Sequence, residues 1–112
     1  MNKQFKVSVR RFLNLILISF SVTSFANIEA TFDGKEAKLN LVVSNTDLSR
    51  KRGLMNQASL EKDSGMIFIW PSAKKQCMWM KNTSLPLSVA YMTSNGRILE
   101  IYDMVPFSEE SI

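Results

Sequence analysis

The chain has 112 residues, 14 Lys plus Arg against 10 Asp plus Glu, one cysteine and no histidine. Those counts exclude Cys–His and Ser–His–Asp catalysis, histidine-held metals and any internal disulfide. Lys3, Lys6, Arg10 and Arg11 all precede the first acid, Glu29, and the rest of the chain is formally neutral, so the basic excess is not a nucleic-acid footprint.

The first 26 residues read as a secretory leader. The four basic residues precede an apolar run from Phe12 to Val22, and Ser24-Phe25-Ala26 offers the small residues of a cleavage site after Ala26. The apolar run is about half of the ~20 residues a bilayer span needs. No cysteine stands directly after it to carry a lipid. Residues 1–26 are therefore expected to be a signal peptide and 27–112 one small domain. The domain would be periplasmic or secreted without stable membrane insertion after cleavage. An uncleaved leader tethering it to the inner membrane is the alternative.

Ile28 to Val43 is expected to form a hairpin around Asp33-Gly34. Asn45-Thr46-Asp47 supplies N-cap chemistry, and Gly53 a C-cap, for a short helix near residues 46–52. Arg50-Lys51-Arg52 then sits where the helix dipole favours cations, which reads first as a solvated helix terminus. Met66 to Trp70 is an apolar strand stopped by Pro71, and Gln76 to Lys81 is expected to return as its hairpin partner. Leu87 to Thr93 and Arg97 to Tyr102 flank Asn95-Gly96, a strong hairpin turn. Counting outward from that turn pairs Met92 with Leu99, Ala90 with Ile101 and Ser88 with Asp103. Both faces of this hairpin are largely apolar, so both are expected to be covered. The expected fold is α+β and β-dominated, a small barrel-like sheet of hairpins with one short helix.

Residues 77–83, CMWMKNT, concentrate the unusual chemistry. As a strand they would place Cys77, Trp79 and Lys81 on one face and Met78, Met80 and Asn82 on the other. Lys81 is then too far along the strand to activate Cys77, and the thiol is separated from the flanking thioethers that a copper(I) site would need. Cys77 is expected to be a small buried hydrophobe beside Trp79; a catalytic thiol, a soft-metal ligand and an intermolecular disulfide are the other readings. No cofactor is expected.

RGLMNQASL at 52–60, DSGMIFIWP at 63–71, WMKNTSLPL at 79–87 and NGRILEIYDMVP at 95–106 together resemble domain-of-unknown-function family 192. This is an often exported or membrane-associated prokaryotic group without an established activity. The resemblance implies a mostly β, barrel-like domain with a short helix, and no reaction. It places the signature polar positions on Arg52, Lys81, Asn82 and Thr83, and the signature apolar ones on Gly53, Leu54, Met55, Trp79 and Met80, with Pro86 in the following loop. Asn82 and Thr83 can serve simply to bond the backbone of that loop. Alternatively, Arg52, Lys81, Asn82 and Asp103 converge at the polar end of the sheet as a site for a small anion.

Two departures stand out. Ser88 occupies a position where the family typically has aspartate, and the family domain usually runs a few tens of residues past the MVP motif. A missing strand would leave an open edge, which a protein partner could complete. The functional expectation is an exported binding or accessory module. A hydrolase or transferase using Lys81, Asp103 or Cys77, and a degenerate copy without activity, are the alternatives.

Overall fold

The computed structural model describes residues 4–10, as backbone, and 26–112; the expected apolar core of the leader and most of its cleavage motif lie outside them. Six strands and one helix follow in the order β1 (Gln4–Arg10), β2 (Asn27–Thr31), β3 (Lys38–Ser44), α1 (Asp47–Arg52), β4 (Ser64–Trp70), β5 (Leu87–Met92) and β6 (Ile98–Asp103). They form one sheet of order β2-β3-β4-β1-β5-β6. The fold is β-dominated α+β, and the sheet curves around one face without closing.

The β2–β3 hairpin forms as its sequence predicts, and Lys38 reaches Glu29 across it at 3.1 Å. The chain then crosses through α1 and returns parallel to β3, pairing Leu41 with Gly65 and Val43 with Ile67. β4 is covered on both faces, which explains why its sequence is an apolar run rather than an alternation. Its Phe68 and Ile67 are 2% and 6% exposed.

Two cores result. Leu54, Met80, Leu85, Leu87, Val89, Tyr91 and Met104 pack on one face, and Leu41 and Ile67 anchor the other. Each side chain so removed from water contributes about 1.5–3 kcal/mol before entropy is counted.

The structure corrects three expectations. Gln76 to Lys81 is not the hairpin partner of β4, whose neighbours are β3 and β1; the segment instead bonds to residues 108–112. β6 is exposed along its whole length as an edge strand, so the last hairpin is covered only on its β5 side. Its register matches the expectation at Ser88–Asp103 and Ala90–Ile101. It slips near the turn, where Met92 faces Ile98 and Leu99 is the extra residue of a bulge.

Candidate functional site

Helix α1 is only six residues long, and its caps hold it in place. Thr46 Oγ1 accepts from Ser49 N at 3.1 Å, while Ser49 Oγ accepts from Thr46 N at 3.1 Å, forming a capping box. Buried Ser44 donates to Ser49 Oγ at 3.0 Å and ties the helix start to the end of β3. The helix ends at Gly53, whose φ of +49° a side chain would strain. A Cβ there would also lie 3.3 Å from Phe68 Cζ. This close approach brings the last turn of α1 against the β4 face.

The three cations of that turn do different things. The Arg50 guanidinium donates to Ile69 O at 2.7 Å, pairs with Asp47 at 2.5 Å and lies 5.5 Å from the Trp70 ring centre. It is a clamp between helix and strand. Lys51 and Arg52 are exposed.

Residues 77–83 form the opposite wall. Met78 exchanges backbone hydrogen bonds with Ile112 at 3.1 and 3.0 Å, and Met80 N donates to Ser108 O at 2.8 Å. The Tyr91 hydroxyl also donates to Ile112 O. Asn82 adopts φ +52°, and its carbonyl accepts from Asn56 N at 2.8 Å. Buried Thr83 donates through Oγ1 to Lys81 O at 2.9 Å, and its carbonyl accepts from Phe107 N at 3.0 Å. The backbone of Asn82 and both ends of Thr83 therefore build the loop. Pro86 is exposed between buried Leu85 and Leu87.

Between these walls lies a cavity of about 250 Å³. Leu54, Phe68, Met80, Leu87 and Met104 supply its apolar interior; Trp70, Trp79, Cys77, Lys51 and Arg52 also line it. Lys81 Nζ lies 5.1 Å from the Trp79 ring centre, a cation–π contact, and Lys81 is not among the residues that line the cavity.

Cys77 is exposed rather than buried beside Trp79. Exposure alternates along the segment as expected, with Cys77, Trp79 and Lys81 exposed and Met78 and Met80 turned toward the core, although residues 77–80 form no regular strand and all four line the same cavity. Among the described residues, no group of three or more His, Cys, Asp or Glu could hold a metal.

A second cavity, of about 650 Å³, occupies the concave face of the sheet. Ala30, Leu39, Leu41, Ile67, Ala90 and Ile101 line it, as do Ser88 and Asp103. Ser88 Oγ donates to Asp103 Oδ1 at 2.5 Å. Of the four expected polar residues, Arg52 lines the first cavity and Asp103 the second, while Lys81 and Asn82 line neither. Sequence reasoning missed Lys51 and Trp70 as site residues. The signal for Trp70 was its place at the end of the β4 run, beyond which the chain turns away at Pro71.

Tyr91 lies close to this wall. Burial pushes its phenol up to about 12, with Cys77, Tyr102 and Glu100 charges adding to the rise and a backbone hydrogen bond at Met78 opposing it. Tyr102 is raised chiefly by its hydrogen bond with Glu100.

The DUF192 family, described as Uncharacterized ACR, matches residues 28–112. The chain belongs to this family. A protein of Sinorhizobium meliloti 1021, described in its structure report as a candidate transcription regulator, is 26% identical with a TM-score of 0.69; the alignment covers 98% of this chain and 70% of that one. A protein of unknown function from Novosphingobium aromaticivorans DSM 12444 shares the fold at a TM-score of 0.71 and 22% identity, over 84% of this chain and 70% of that one. No curated protein matches the chain. Among the described residues of this DUF192 protein, no helix is long and apolar enough to cross a membrane.

Proposed function

We propose that this DUF192 protein is an exported binding or accessory module that takes a small anionic ligand in the cavity between α1 and residues 77–80. The observation that carries the reading is the pairing of exposed Lys51 and Arg52 at the rim with an apolar, tryptophan-walled interior. Such a site can desolvate the body of a ligand and leave its anionic group to the cations. The volume lies just under the roughly 300–1,000 Å³ of drug-sized sites, so the ligand is small. Arg50 is already engaged by Ile69, Asp47 and Trp70, and it shapes the pocket rather than greeting the ligand. Binding is favoured over turnover because Asp103 is bonded to Ser88 on the other cavity.

The test is isothermal titration of the full chain with benzoate and with inorganic phosphate. Saturable binding that weakens at least about tenfold in a Lys51→Ala/Arg52→Ala variant supports the reading, a loss in line with charged hydrogen bonds of about 1.5–3 kcal/mol each. Binding of neither probe, or binding that the double variant leaves unchanged, refutes it. Export follows the leader composition, and N-terminal sequencing of the protein from the periplasm or medium tests it by finding, or failing to find, Asn27 as the first residue.

A further inference from the structure

The N-terminal strand occupies an interior place in the sheet. β4 and β5 carry the buried residues Ile67, Phe68, Leu87, Val89 and Tyr91, yet they do not pair with one another. β1 lies between them, antiparallel to both, with register partners running from Gln4–Trp70 to Val9–Gly65 on one side and from Phe5–Met92 to Arg10–Leu87 on the other. With β1 in place, β4 and β5 are two ladder spacings apart, ~9.5 Å, too far to bond directly. Without it, two rows of N–H and C=O groups would face each other unpaired in the middle of the sheet. The sequence of the segment fits the slot independently: Phe5, Val7 and Val9 alternate with Lys6, Ser8 and Arg10, the period of a strand.

The same residues form the basic stretch that an export leader presents. A segment bonded along both edges inside a sheet is not free to serve in that second role. We propose that the gap between β4 and β5 is a strand-acceptor site, that residues 4–10 of the same chain are its ligand, and that this capture competes with their use as a leader. Recognition is by strand addition, with main-chain hydrogen bonds on two sides rather than one. Covalent attachment supplies the high effective concentration that favours capture within the chain. The competition rests on the export reading; the acceptor site does not.

Cross-linking the full chain in a Cys77→Ser background tests the site. Val7→Cys with Ala90→Cys joins register partners, whereas Val7→Cys with Ser88→Cys is offset by two residues, at ~7–8 Å and beyond the usual 4.4–6.8 Å Cα reach of a disulfide. The on-register pair should form an intrachain disulfide at least about tenfold faster than the offset pair. Equal rates would overturn the assignment, and so would linkage found only between chains. For the competition, Val7→Pro removes a ladder donor and should raise the fraction of chain processed after Ala26 in cells. An unchanged fraction, or no processing of either chain, overturns the competition and leaves the strand-acceptor site to stand or fall on the cross-linking rates.

Discussion

The two cavities of this molecule use similar apolar material and differ in what surrounds it. The smaller is walled by the last turn of α1 and by residues 77–80, with Trp70 and Trp79 beside exposed cations. The larger lies against the sheet itself; its one charged residue, Asp103, is already bonded to Ser88, and its other polar side chain is the neutral Thr31. Size alone would favour the larger as a ligand site. Available charge favours the smaller, because a ligand finds cations there that are not committed to each other. A site is thus defined by the groups that folding leaves unspent.

The most destabilising substitution separates fold from site. Leu41 is 1% exposed and lines the second cavity. Leu41→Ala should cost about 2–5 kcal/mol in urea unfolding while leaving benzoate or phosphate affinity at the first cavity unchanged. Gly53→Ala should cost about 1–3 kcal/mol and also weaken binding, because the strained turn and the crowded Phe68 both belong to the first cavity. Gly34→Ala, where nothing lies within 4 Å, is the milder control. Thr46→Ala opens the capping box and should lower stability by about 1 kcal/mol, measured by thermal unfolding.

A subtler change is confined to alkaline pH. Tyr91 titrates near 10 when unfolded and about 12 when folded. A group raised in the folded state contributes fully below pH 10 and loses that contribution as pH climbs through 10 to 12. Tyr91→Phe should flatten most of this decline in a pH series of unfolding curves; Tyr102, also raised, retains a share.

Local chemistry made much of the fold legible. Asp33-Gly34, the Thr46 cap, Gly53 and Asn95-Gly96 each marked a turn or terminus that the structure contains. The strand expected at residues 76–81 shows where local reading ends. Its apolar residues do line an interior wall, but their backbone partner is residues 108–112 rather than a neighbouring strand. No local signal names a partner so distant. Cys77 was misplaced for the same reason, since its exposure depends on the path of that irregular wall. Nor could register counting foresee that Arg52 and Asp103 belong to different cavities. Strand order is equally beyond local reading, and it places Gln4–Arg10 between β4 and β5.

The binding claim is best put at risk by the thermal melt of the full chain with and without saturating benzoate or inorganic phosphate, repeated for Lys51→Ala/Arg52→Ala. A ligand-dependent rise in Tm is expected, which for ligand at 100 times its Kd corresponds to about 2.7 kcal/mol. The double variant should lose most of this rise while melting normally without ligand. A rise of equal size in both proteins would place the ligand elsewhere and contradict the assignment of the smaller cavity as the site.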